Sequence, residues 1–137
     1  MTIKEITKEI IEEFEIFEDW NDKYEFIINL GQELDGLDKQ YHTNVYLIRG
    51  CQSQVWLRAY MQDDKIIFEA DSDALIVKGL VALLLRVYSN QKPEEVLNNP
   101  PDFFNTIGLS NHLSPMRSNG LNEMIKKINA YAEEFKM

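Results

Sequence analysis

Only one cysteine, Cys51, occurs among the 137 residues, so no disulfide can close within the chain, and a lone thiol suits a reducing compartment better than a secreted one. The same scarcity argues against a structural zinc site or an iron–sulfur cluster held by a single chain, because such sites take several thiolates. No metal site and no bound cofactor are expected. Long apolar runs are missing as well: the longest, Leu80 to Leu85, falls far short of the roughly 18 residues that a membrane-spanning helix needs. From Lys4 onward the N-terminus alternates charged and apolar residues, unlike a signal peptide. These features predict a cytoplasmic protein without a membrane partner. Basic residues are few, 14 Lys and Arg against 23 Asp and Glu, and the net charge of −9 repels the phosphate backbone of nucleic acids. No Pro- or Gly-rich linker, repeat or low-complexity tract breaks the sequence. At this length, with 45% hydrophobic residues, one domain spanning residues 1–137 is expected.

Hydrophobic periodicity sorts the chain into elements. Ile3, Ile6, Ile10, Phe14 and Phe17 recur at three- and four-residue steps behind a Thr2/Glu5 capping box, which predicts an amphipathic helix. A second helix is expected from near Asp22, through Tyr24, Ile27, Ile28 and Leu34, to a stop at Asp35-Gly36. The short connection around Trp20 predicts that the two form a helical hairpin. The period then falls to 2. Val45 to Ile48 reads as a short strand. Val55, Leu57, Ala59 and Met61 alternate with Trp56, Arg58, Tyr60 and Gln62, as in a half-buried strand, and Lys65 to Ala70 follows an Asp63-Asp64 turn. Three antiparallel strands are expected. Asp71-Ser72-Asp73 offers caps for a helix over Ala74 to Ser89 that is apolar on nearly every face. Gly79 in its middle lowers helix propensity by about 1 kcal/mol relative to Ala, which points to a closely packed neighbour. Pro93 and Pro101 suit the first turns of short helices, Gly108 suits the end of the second, and Leu121 to Phe135 carries a last amphipathic stripe.

The connection between the first two expected strands, Arg49-Gly50-Cys51-Gln52-Ser53, carries the main candidate for chemistry. A free cysteine is ordinarily a small buried hydrophobe. Cys51, however, follows a glycine in a polar loop, with Arg49 and Arg58 near in sequence, a setting that can favour the nucleophilic thiolate. A Cys–His hydrolase would need His42 or His112 within hydrogen-bond reach, with a third group orienting the ring. Neither histidine lies in a local motif: His42 reads as a surface residue, and His112 as one that satisfies turn backbone near Ser114-Pro115.

The run Gly50-Cys51-Gln52-Ser53-Gln54-Val55-Trp56-Leu57 resembles the signature of the SufE family, and further blocks agree. These are Asp71 to Leu80, Leu109 to Leu121, and the region around Trp20 and Tyr24 to Gln32, in the family's order. The resemblance implies an α+β fold, with helices packed on a three-stranded antiparallel sheet of the SufE/IscU-like type. It also implies that Cys51 accepts persulfide sulfur from a cysteine desulfurase of the SufS type, stimulates that pyridoxal-phosphate enzyme, and passes sulfur to a downstream scaffold for iron–sulfur cluster assembly. The chain would then be a carrier and activator, not an enzyme. Gly50, Gln52 and Ser53 would support the loop, Arg117 would be the third-block arginine near the cysteine, and Asp71 and Asp73 would flank the desulfurase-contacting surface. By residue chemistry alone, Asp71 and Asp73 read as helix caps and Arg117 as an ion-pair residue. A second reading also stands: a non-covalent regulator or adaptor of a desulfurase, with a structural Cys51. Partner paralogue and oligomeric state are not legible.

Overall fold

A computed structural model describes residues 1–49, 53–113 and 115–136, with the side chains of Ser110 and residues 115–119 outside the description. The first helix, α1 (Ile3–Glu15), opens as expected on a capping box between Thr2 and Glu5, and it buries Ile3, Ile10 and Phe14. Helix α2 (Trp20–Glu33) begins two residues before the expected Asp22, because Asp19 caps it by accepting the Asp22 N–H. The expected hairpin is not the main packing of these two helices. Phe26 of α2 packs against Phe14 of α1 and against Phe17 in the connection, while both helices rest on the central helix α3 (Leu75–Tyr88).

Helix α3 explains its own glycine. A Cβ on Gly79 would run into the backbone of Ile27 on α2, and one on Gly31 would lie 2.7 Å from the Gly79 nitrogen. The two backbones therefore meet at a paired glycine contact, which ridge-and-groove packing with larger side chains would not allow. Leu80, Leu83, Leu84 and Val87 fill the core on either side of it. Near its C-terminal end, Arg86 makes a forked ion pair with Glu13 of α1, at 2.9 and 2.6 Å. That guanidinium holds the Glu13 carboxyl below the usual carboxylate range.

Two strands, β1 (Val55–Gln62) and β2 (Lys65–Ser72), form an antiparallel hairpin. Asp63 and Asp64 turn it with φ of 51° and 68°, the left-handed pair that a tight hairpin turn requires. Among the described residues the sheet has two strands, so the three-stranded sheet expected from the pattern is not confirmed. Val45 to Ile48 contributes only an isolated bridge, Leu47 to Trp56, beside a two-stranded sheet. The alternation read along β1 is also replaced by a gradient: Val55, Trp56 and Leu57 are buried, and exposure rises toward Gln62. The Val55 end of the hairpin is covered, and Met61 to Lys65 at the turn are exposed, although Ile66 beside them is buried and bonded to Asn90 and Gln91.

Helix α4 (Pro93–Asn98) starts on its proline, and α5 (Phe103–Thr106) follows Pro101 and ends before Gly108, whose φ is 86°. Helix α6 (Pro115–Phe135) starts six residues before the expected Leu121 and places Met124, Ile128 and Ala132 in the core. Among the described residues, no helix is long and apolar enough to cross a membrane.

Candidate functional site

Gly50, Cys51 and Gln52 lie outside the described residues, so the site is built from its supports. Before them, Tyr46 to Ile48 run alongside the start of β1. The Ile48 N–H donates to the Val55 carbonyl at 2.8 Å, and the Leu57 N–H donates to the Tyr46 carbonyl at 2.9 Å. The Cys51 connection thus leaves and re-enters at two residues that are bonded to each other. Arg49 is exposed and Ser53 half-buried at its ends.

The re-entry point is tied down further. The Gln54 N–H donates to Asp73 Oδ1 at 3.0 Å, and the Gln54 carbonyl accepts from the Ser72 hydroxyl at 2.9 Å and from the Asp73 N–H at 3.2 Å. Three hydrogen bonds therefore clasp the residue three positions after Cys51. This corrects the capping assignment of Asp71 and Asp73. The N-cap of α3 is Ala74, with no side-chain cap, and β2 continues through Asp71 and Ser72. The strand overran the expected boundary because Ser72 pairs with Val55, a long-range contact that local capping chemistry could not reveal. Asp73→Asn, which keeps the acceptor oxygen, is expected to leave the Gln54 amide as protected as in the native chain. Asp73→Ala removes about 1 kcal/mol of local hydrogen bonding and should speed exchange of that amide about fivefold. Equal protection in both variants, measured by hydrogen exchange, would show the clasp to be of no consequence.

Asp71 serves a different set of groups. Its carboxylate accepts from the Ser72 N–H at 2.9 Å and the Leu37 N–H at 3.4 Å, pairs with Lys78 at 3.2 Å, and lies 3.4 Å from His42 Nε2. Burial pushes this carboxyl up, but the hydrogen bonds from Ser72, Lys78 and Leu37 outweigh it, and the net position is below the ordinary Asp range. Gly36 makes the approach possible: its φ is 78°, and a Cβ there would lie 2.9 Å from Asp71 Oδ2. The side chain is only 16% exposed, so Asp71 is occupied within the fold.

Of the two nearby cations read from the sequence, Arg58 is also engaged. It pairs with Glu69 across the hairpin at 2.6 Å and lies over the rings of Tyr41 and Tyr60. The third block is held from α2. The Trp20 ring stacks on His112 with centroids 3.9 Å apart, and the Tyr24 hydroxyl donates to the His112 carbonyl. His112 is thus a point of attachment for the block, while the turn role read near Ser114-Pro115 involves Ser114, outside the described residues. Arg117 lies on the first turns of α6, with its side chain outside the description. His42 is no plain surface residue either, since its ring stacks on Trp56 at 4.2 Å. Among the described residues, no group of three His, Cys, Asp or Glu side chains could hold a metal. Gln54, Trp56 and His42 were not singled out as site residues by sequence reading, although Gln54 and Trp56 stand in the signature run itself.

A family model described as the SufE Fe-S metabolism associated domain matches residues 8–132. The chain belongs to the SufE family. An uncharacterized SufE-like protein of Rhizobium meliloti is 38% identical over 130 residues, covering 91% of this chain and 93% of that protein. An Arabidopsis thaliana protein named SufE-like protein 1, chloroplastic/mitochondrial, is 40% identical over 120 residues, covering 87% of this chain; the SufE chain described here matches 32% of that longer protein. In structure, the chain is similar to a hypothetical protein from Thermus thermophilus, with a TM-score of 0.79 over 95% of both chains at 20% identity. That likeness carries the fold. Family membership gives this SufE chain a role in iron–sulfur metabolism, as a sulfur-transfer or accessory protein.

Proposed function

We propose that Cys51 accepts sulfur as a persulfide from a SufS-type cysteine desulfurase and passes it to a scaffold for iron–sulfur cluster assembly. The observation that carries this reading is the support around residues 50–52. The chain's one cysteine lies in a connection whose ends are bonded through Ile48 and Val55, and whose exit is clasped by Ser72 and Asp73. A nucleophile that must meet a second protein benefits from a short loop on a rigid base.

The chemistry needs no cofactor on this chain. The Cys51 thiolate attacks the terminal sulfur of the persulfide on the desulfurase cysteine. One S–S bond forms, another breaks, and the desulfurase thiolate leaves with the bonding pair, so no outside oxidant or reductant enters. Removing that sulfur frees the desulfurase for another turnover, which is how an acceptor stimulates an enzyme without performing its C–S cleavage. Gly50, Gln52 and Ser53 would shape the connection, and Arg117, on the block held by Trp20 and Tyr24, would face the loop. Asp71 and Asp73 would support the loop and not supply partner contacts, since both carboxylates have partners within the fold. A reducing compartment such as the cytoplasm suits this thiol.

The reading is tested by intact mass after incubation with desulfurase, pyridoxal phosphate and cysteine, without reductant. The expected product carries added sulfur on Cys51 alone. Desulfurase stimulation with no adduct would favour a non-covalent adaptor instead.

A further inference from the structure

Both tryptophans of the chain lie face to face with its two histidines, and the pair beside the Cys51 connection is the more closely integrated. His42 and Trp56 are stacked with centroids 4.2 Å apart and ring planes within 5°. Trp56 is the cross-strand partner of Asp71 and also the β1 end of the bridge to Leu47. His42 touches both members of that cross-strand pair, because its Nε2 lies 3.4 Å from Asp71 Oδ2. Nε2 is buried, yet its geometry there does not make a hydrogen bond. A solvated surface histidine would have neither contact.

We infer that His42 is a positioning residue for the base of the Cys51 connection, acting through Trp56 and Asp71. The inference deepens the sulfur-acceptor reading and rests on it for its functional meaning. His42 closes the 3-10 turn Lys39–Tyr41, and only a few residues separate it from the Tyr46 to Ile48 stem. Its ring covers Trp56, which is only 9% exposed. Trp56 is followed directly by Leu57, whose N–H donates to the Tyr46 carbonyl of the stem. Asp71 also holds the chain ahead of His42 through the Leu37 N–H, and it is itself fixed by Lys78 and Ser72. The segment that leads into the stem is thus held to the strand pair by one ring between a tryptophan face and a carboxylate. Loosening it should let the base of the connection open locally without unfolding the protein.

Iodoacetamide tests this directly, because Cys51 is the only thiol. His42→Ala removes both contacts, His42→Phe keeps a ring on Trp56, and His42→Gln keeps a polar group beside Asp71. Alkylation rate is followed against pH, so that the high-pH plateau reports access and the midpoint reports thiol acidity. In His42→Ala the plateau should rise about threefold or more with an unchanged midpoint, and the other two variants should be intermediate. Hydrogen exchange of the Leu57 amide should speed up in the same order, while the Ile66 amide, bonded to Gln91, should not change. Should His42→Ala fold poorly, the Phe and Gln variants carry the comparison. Plateaus within twofold of the native chain, or a shift in midpoint alone, overturn the inference. Alkylation needs no desulfurase, so its failure leaves the sulfur-acceptor reading standing, and absence of a persulfide would not alter the alkylation result.

Discussion

Cys51→Ser is expected to abolish sulfur uptake and desulfurase stimulation while leaving the fold, and much of the binding to the desulfurase, in place. Serine is close to cysteine in size, and its alkoxide is not accessible at neutral pH, so the substitution deletes the nucleophile with little steric change. Chemistry and docking are separated in this way. The supports of the connection do not depend on the sulfur: the Ile48 and Gln54 hydrogen bonds use backbone groups and the Ser72 and Asp73 side chains. The variant should therefore bind the desulfurase and compete with the native chain without accelerating turnover. The measurement is turnover at saturating variant, with binding followed by calorimetry. Stimulation equal to that of the native chain would remove Cys51 from the mechanism and leave the adaptor reading.

Gly79→Ala should lower stability by about 3 kcal/mol and the melting temperature by about 10 °C. On helix propensity alone the substitution would stabilise by about 1 kcal/mol, so the two effects have opposite signs and the measurement decides between them. The reason for the loss is that the added methyl has no room to fit. It meets backbone and Cγ2 of Ile27, neither of which can swing aside as the tip of a long side chain could, so α2 and α3 must separate along their length. That separation would strip contacts from Ile27 and Leu80, both at most 2% exposed. Because α3 also packs against β2, and the end of β2 carries Asp71 and Ser72, the strain should reach the clasp on Gln54. A thermal melt showing Gly79→Ala to be as stable as the native chain would mean that the helices relax freely, contrary to the paired-glycine contact.

Much of this was legible in the sequence, and the reason is locality. The capping box of α1, the Asp63-Asp64 turn and the starts at Pro93 and near Pro101 each depend on residues within a few positions of one another. A period of 3.6 or 2 reports which face is buried without saying against what. Gly79 was readable one step further, since a glycine inside an apolar helix signals a close neighbour, though not that the neighbour would be Ile27 beside a second glycine, Gly31. Cys51 stood out because it is the chain's one thiol and follows a glycine within a family signature.

What the sequence by itself determined, then, is most of the helices and the β hairpin, the family blocks and the single cysteine on which the proposed sulfur transfer rests. Tertiary structure decided how the supporting residues are used. Asp73 turns from the helix it precedes to a backbone amide 19 positions away, Asp71 reaches one 34 away, and Tyr24 reaches across 88 to His112. It also reduced the Val45 to Ile48 run to a single bridge and turned His42 from a surface side chain into a wedge between Trp56 and Asp71. Side chains such as Asp, His and Trp have several acceptable partners of similar energy, so their choice is settled only when distant segments are brought together. The apolar periodicity that brings them together carries no record of which polar groups will meet.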